Sequence, residues 1–208
     1  MKTILCFGDS NTWGANPATQ GRFPREGAWP AVLRDTLGPG YWVIDEGLPG
    51  RTTVWDDPIE GYKNGRDYLI PCLNSHNPID LVVMLLGTND LKKRFSVSAY
   101  DIANSAGVLV DIVQKSDAGV DGNPPQVLLL APPKLAPLTE YRWMFEGGEE
   151  KSVRFGAEFA RVAKLMDCHY LDAGTVIVSS PLDGIHFELE EHAKLGRTVA
   201  ARVRAILS

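Results

Sequence analysis

The chain has 208 residues, 44% of them hydrophobic and 23% charged, and its formal net charge is -5. This length and composition predict a single globular domain over residues 1–208 with a sizeable core. The acidic balance argues against nucleic acid or an anionic membrane surface as a partner. The one basic run, Lys92-Lys93-Arg94, is predicted to lie at least in part in a solvated loop or helix start.

Three cysteines are far apart in the sequence: Cys6, Cys72 and Cys168. No C-x-x-C pair occurs, so a zinc or dithiol site has little support, and an odd number of isolated cysteines suits reduced thiols. The apolar part of the N-terminus is too short for the core of a signal peptide, and no stretch approaches the length of a membrane span. The sequence therefore predicts a soluble cytoplasmic protein with no membrane insertion.

Short apolar runs alternate with amphipathic segments along the chain. The runs of strand length are Ile4–Phe7, Trp42–Ile44, Leu81–Leu86, Val127–Leu130 and Tyr170–Leu171. The third run is apolar on both faces, as expected of a central strand in a covered parallel sheet.

Helical periodicity occurs between these runs, with apolar stripes in residues 29–37, 102–113, 155–166 and 195–206. Alternation of strands and helices predicts right-handed crossovers and a three-layer sandwich. Residues 131–148 form an unusually long, proline-containing connection, which suggests a segment that covers a binding cleft.

Polar, glycine-bearing segments follow the predicted strands, and a further one precedes the last helix. They are Gly8-Asp9-Ser10-Asn11, residues 45–53, Gly87-Thr88-Asn89-Asp90 and Asp183-Gly184-Ile185-His186. Ligands bind at the carboxyl ends of strands in open parallel sheets, so we expect these segments to converge on one rim.

A serine hydroxyl needs a base to become a good nucleophile. His186 is the best candidate base for Ser10, because Asp183 precedes it by three residues on a predicted turn and can orient its ring. The other histidines have simpler interpretations. His76 lies in a polar connection, His169 begins a strand, and His192 occupies a solvated position in the last helix.

Acyl transfer also needs hydrogen-bond donors for the oxyanion. The candidates are the Ser10 N–H, the Gly50 N–H and the Asn89 side-chain amide. Taken alone, Ser10 is better explained as a helix N-cap, and Asn89 is consistent with a left-handed turn. Their occurrence together favours a catalytic site.

Two other classes of function are less well supported. A magnesium-dependent phosphohydrolase with Asp9 as nucleophile would need a second carboxylate at position 11, where this chain has Asn11. A non-catalytic binding module of doubly wound fold would need a ligand anchor, and neither phosphate-binding glycine fingerprint occurs.

The polar segments resemble the four signature blocks of the SGNH (GDSL) hydrolases. Similarity to the arylesterase/acyltransferase branch of that family extends over essentially the whole chain and includes "GDSNTWG", "EGLPGRTT", "GTNDLKKRF", "APPKLAP", "FEGGEEK" and "DGIHF". The resemblance implies a flavodoxin-like α/β/α sandwich with a central, mostly parallel five-stranded sheet. It implies a serine esterase that cleaves aryl and short-chain acyl esters without metal or cofactor, and passes the acyl group to water, an alcohol or peroxide. A carbohydrate acetylesterase or thioesterase is the alternative.

Carried over by position, the resemblance makes Ser10 the nucleophile, His186 the general base and Asp183 its orienting carboxylate. It assigns the oxyanion hole to Ser10, Gly50 and Asn89.

The resemblance also assigns a substrate-binding role to Trp13 and, less directly, to Phe145. Residues 15–28 are shorter than in the best-known relatives, where this region contributes to an oligomer. The resemblance implies a homo-oligomer because this branch of the family tends to oligomerise, but the shorter segment means that neither the size of the oligomer nor the efficiency of acyl transfer carries over.

Overall fold

The computed structural model describes residues 1–208. Five parallel strands form one sheet in the order β2-β1-β3-β4-β5. They are β1 (Lys2–Gly8), β2 (Tyr41–Gly47), β3 (Leu81–Leu85), β4 (Gln126–Ala131) and β5 (His169–Asp172). The order reverses at β1, which pairs with both β2 and β3, and this reversal creates the crevice where doubly wound folds bind ligands.

Seven helices connect and follow the strands. The longer ones are α2 (Trp29–Leu37), α3 (Gly65–His76), α4 (Ala99–Gln114), α6 (Phe155–Leu165) and α7 (Leu189–Leu207). The shorter ones are α1 (Ser10–Trp13) and α5 (Gly148–Ser152). None of the helices combines the length and the apolar composition that crossing a membrane requires.

Alternate residues of each strand point to opposite faces of the sheet, so the sheet separates two cores. Leu5 and Phe7 of β1 belong to the core under α3, α4 and α6. Ile4 and Cys6 belong to the core under α2 and α7. The predicted three-layer sandwich and its sheet are therefore confirmed, with every strand pair parallel.

Helix α3 was not predicted from the sequence. Its apolar residues do not form one clean stripe: Leu69, Cys72 and Leu73 are buried, but Ile70 is exposed, and Pro71 lies inside the helix. His76 is the last residue of α3 and not part of a loop, and its Nε2 lies 2.8 Å from Glu46 Oε1.

The prediction for His192 is wrong. Its side chain is fully buried, packed against the rings of Phe23 and Phe187, and its Nδ1 accepts a hydrogen bond from the Trp29 N–H at 3.3 Å. Burial lowers the pKa of His192 to about 4.

The basic run is mixed: Lys93 is exposed, whereas Lys92 is buried.

Candidate active site

Ser10 lies at the start of α1, directly after β1 ends. The Asp9 carboxylate caps this short helix by accepting the Asn11 N–H at 3.0 Å, and Gly14 ends it with a φ of 93°. Close packing holds the turn in place: a β-carbon on Gly47 would come within 2.2 Å of the Trp13 nitrogen. The end of β2 must therefore be free of a side chain for α1 to occupy this position.

Ser10, His186 and Asp183 form one chain of hydrogen bonds. His186 Nε2 lies 3.0 Å from Ser10 Oγ, and His186 Nδ1 lies 2.6 Å from Asp183 Oδ2. The other carboxylate oxygen, Oδ1, accepts the backbone N–H groups of Ile185 at 2.8 Å and His186 at 2.9 Å. The aspartate is therefore fixed by the same turn that presents the histidine.

Two aspartates near the serine differ in their electrostatics. Burial acts to raise the pKa of Asp183, but the hydrogen bond and the charge of His186 outweigh it and lower the pKa below its usual value. For Asp9 burial prevails over the Asn11 hydrogen bond and the charges of His186 and Arg51, and it raises the pKa to about 6. Asp183 is thus the carboxylate held as an anion beside the imidazole.

The three predicted oxyanion donors lie around the same cavity as Ser10 Oγ. Asn89 is buried, and one of its side-chain N–H groups donates to the Arg51 carbonyl at 3.1 Å. The N–H groups of Ser10 and Gly50 donate to no acceptor in the chain's turns and loops. Gly50 has a φ of 83°, a conformation that glycine adopts without strain.

Arg51 joins these loops, and its role was not predicted from the sequence. Its guanidinium donates to the carbonyl of Gly8 at 2.8 Å and to that of Glu46, and it stacks on the ring of Phe7 at 4.2 Å. Its own carbonyl orients Asn89. One buried side chain therefore ties the ends of β1 and β2 to the oxyanion loop.

Comparisons with known proteins identify the family. Residues 6–193 match the GDSL-like Lipase/Acylhydrolase family. The chain belongs to this family. Its fold matches a carbohydrate acetylesterase from Sinorhizobium meliloti (TM-score 0.94, 41% identity, covering 99% of this chain and 100% of that one). It equally matches an aryl esterase from M. smegmatis (TM-score 0.94, 42% identity, 99% of both chains). No curated protein matches the chain.

A more distant GDSL protein, from Veillonella parvula, shares the fold at a TM-score of 0.70 and 13% identity, over 99% of both chains. The predicted family and the predicted class, a serine-dependent carboxylic ester hydrolase of SGNH fold, are confirmed by these matches.

The cavity of this GDSL hydrolase has a volume of about 320 Å³ and contains Ser10 and His186. The apolar and aromatic lining residues are Trp13, Ala15, Tyr141, Met144, Phe145 and Ile185. The polar lining residues outside the triad and the oxyanion loop are Gln20, Glu60 and Lys92, and these three make up the polar wall. Both residues predicted to bind substrate, Trp13 and Phe145, line the cavity.

The connection over residues 131–148 does contribute to the cleft, as predicted, through Tyr141, Met144 and Phe145. Tyr141 was missed, although its ring lies edge-on to the His186 ring with centroids 6.2 Å apart. A second cavity, of about 330 Å³, lies beyond β4 and β5 and contains none of the predicted site residues.

Proposed function

We propose that this GDSL hydrolase cleaves short-chain acyl and aryl esters through an acyl-enzyme formed on Ser10. The observation that carries the proposal is the continuous hydrogen-bonded chain from Ser10 through His186 to Asp183, with contacts of 3.0 Å and 2.6 Å. This is the order of nucleophile, base and orienting carboxylate that serine acyl transfer requires.

The first step forms the acyl-enzyme. His186 Nε2 takes the hydroxyl proton as Ser10 Oγ attacks the ester carbonyl, and the negative charge develops on the carbonyl oxygen. The N–H groups of Ser10 and Gly50 and the Asn89 amide stabilise that charge. The tetrahedral intermediate then collapses, and His186 returns its proton to the leaving alcohol or phenol.

The second step releases the acyl group. Water attacks the acyl-enzyme with His186 again as the base, which yields the carboxylic acid and free Ser10. An alcohol or peroxide in place of water gives acyl transfer or perhydrolysis. Asp183 remains an anion throughout and stabilises the imidazolium that forms in each step.

The cavity supports small esters as substrates. Its volume of about 320 Å³ suits a short acyl chain joined to one aromatic ring or one sugar ring. The aromatic wall of Trp13, Tyr141 and Phe145 favours an aryl ester, the substrate class for which the M. smegmatis relative is named. The polar wall favours a carbohydrate acetate, the class for which the S. meliloti relative is named, and this is the second candidate.

The test is hydrolysis of p-nitrophenyl acetate by Ser10→Ala. Loss of the nucleophile from such a unit lowers kcat by about a millionfold. We expect this loss in Ser10→Ala, and we expect the variant to remain folded. Ser116→Ala, just beyond the end of α4, is the matched control and is expected to retain wild-type turnover. We also expect the activity of the wild-type enzyme to persist in EDTA. Full activity of Ser10→Ala overturns the proposal, and loss of activity in EDTA favours the metal-dependent alternative based on Asp9.

We also propose that residues 1–208 act as one catalytic domain in the cytoplasm. The three cysteines are free, with Cys6 and Cys72 buried, which supports a reducing compartment. That the chain forms a homo-oligomer stays a prediction. Light scattering tests it by measuring the mass of the particle in solution.

A further inference from the structure

Four charged side chains form a cluster at the cavity, and two of them, Glu60 and Lys92, belong to its lining: Asp57, Glu60, Lys92 and Arg94. Lys92 Nζ lies 2.5 Å from Glu60 Oε1 and 3.4 Å from Asp57 Oδ2. Arg94 contacts the same two acids, at 3.0 Å from Asp57 Oδ1 and 3.4 Å from Glu60 Oε1. The cluster is electrically neutral, with two acids and two bases.

The cluster is rigid because most of it is buried. The side chains of Asp57 and Lys92 are 0% and 2% exposed, respectively. Asp57 Oδ1 also accepts the backbone N–H groups of Ile59 at 2.9 Å and Glu60 at 3.1 Å, which fixes the backbone that carries Glu60. Buried charges are retained in proteins only when they are paired in this way. Glu60, the most exposed member at 31%, is therefore held in one orientation.

One oxygen of Glu60 is not used by the cluster and lies beside the predicted oxyanion donor Gly50. Both cations contact Oε1, and Oε2 accepts no hydrogen bond from the chain. Oε2 lies beside Gly50, since a β-carbon on that residue would come within 2.5 Å of it. Glu60 lines the same cavity as Ser10 and Asn89. A preorganised acceptor is thus available next to the oxyanion loop.

A neutral donor is the best partner for this oxygen. A third cation would be repelled by Lys92 and Arg94, which already neutralise both carboxylates, and the Lys63 side chain also lies beside Gly50. An anion would be repelled by Glu60 itself. A hydroxyl group carries no charge and donates one hydrogen bond, which is stronger to an ionised oxygen than to a neutral one.

Building on the proposed esterase function, we propose that Glu60 is a specificity-determining residue that binds a free hydroxyl on the alcohol portion of the ester. Unsubstituted short acyl groups such as acetyl have no donor, so the hydroxyl must come from the alcohol. The preferred substrates are then acetates of diols, polyols and sugars that keep a hydroxyl near the ester. The same contact selects polyols as acceptors when an alcohol intercepts the acyl-enzyme.

The test compares 2-hydroxyethyl acetate with 2-methoxyethyl acetate, in which a methyl group replaces the hydroxyl hydrogen and so removes the hydrogen-bond donor. We expect the wild-type kcat/KM to favour the hydroxyl ester by about 10- to 100-fold, the range for a hydrogen bond to a charged group. In Glu60→Gln the side-chain carbonyl can still face Lys92 while the amide nitrogen replaces Oε2, and we expect the preference to fall at least about tenfold. The control Glu146→Gln changes an exposed carboxylate, 60% accessible and paired with Lys93, and retains the wild-type preference.

The ratio of kcat/KM values is informative because general damage to the site changes both esters alike. A wild-type ratio near one overturns the proposal, as does an unchanged ratio in folded Glu60→Gln. If that variant fails to fold, inhibition of the wild type decides: ethylene glycol must compete more strongly than 2-methoxyethanol, and equal inhibition contradicts the proposal. Cleavage of both esters by the wild type, with loss of both in Ser10→Ala, leaves the esterase function intact whatever the ratio.

Discussion

At the scale of single residues, the sequence predicted which side chains meet around Ser10 but not the residues that support them. Only four histidines occur, and the Asp183–His186 spacing on a turn singles out one of them. His192 was misplaced although a signal existed: it precedes Leu195 by three residues and Val199 by seven, which puts it on the buried stripe of α7. Lys92 gave no such signal, because its counter-charges Asp57 and Glu60 lie more than 30 positions away in sequence.

The role of the orienting carboxylate gives a prediction at this scale. In Asp183→Asn the carboxylate charge that stabilises the imidazolium is lost, and the amide can hold the ring in the wrong tautomer. We expect kcat for p-nitrophenyl acetate to fall by about 10³- to 10⁴-fold while KM changes little. The exposed Asp35→Asn serves as the control. Wild-type kcat in Asp183→Asn, measured by stopped-flow absorbance, would remove this residue from the mechanism.

At the scale of elements, the strands and the longer helices follow from local pattern, whereas close approaches between elements do not. The predicted run Trp42–Ile44 identified β2 but not its end at Gly47. The importance of that glycine depends on α1, which is more than 30 residues earlier in the chain and packs on it in three dimensions. Helix α3 was missed for a different reason: its burial pattern is irregular and includes Pro71.

The contact between β2 and α1 predicts the effect of a single methyl group. In Gly47→Ala the β-carbon would overlap the Trp13 backbone, so α1 must shift and move Ser10 with it. We expect a loss of about 1–3 kcal/mol in the free energy of unfolding and a lower kcat. Gly40→Ala, just before β2, meets no atom within 4 Å and is the control. Urea denaturation gives the free energy of unfolding of each variant, and the esterase assay gives its turnover. If the two variants are equal in both, the position of α1 does not depend on Gly47.

At the scale of the whole molecule, the pH dependence of stability combines opposing buried groups. Burial raises the pKa values of Asp9 and Asp90 to about 6, above the ordinary 3.8, so both stabilise the fold as pH falls from 6 to 3.8. His192 acts in the opposite sense. Its pKa in the fold is about 4 instead of 6.5, so the unfolded chain takes up a proton first as pH falls.

His192 should therefore cost stability between pH 6.5 and pH 4, by about 1.4 kcal/mol per pH unit. His192→Asn keeps an acceptor for the Trp29 N–H but does not titrate in this range. As pH falls from 6.5 to 4, the unfolding free energy of the wild type should decrease relative to that of this variant. Below pH 4 the difference between the two proteins should stay constant. A pH-independent difference for His192→Asn would contradict burial of a neutral imidazole.

Covalent labelling decides whether Ser10 carries the acyl group of the ester. The enzyme is treated with an aryl phosphonate, a serine-directed reagent that mimics the tetrahedral intermediate, and is digested for peptide mapping by mass spectrometry. We expect one adduct per chain, on Ser10, with activity lost in proportion to labelling and no adduct in Ser10→Ala. An adduct on another serine that tracks the loss of activity, or full inactivation with Ser10 unmodified, would contradict the claim.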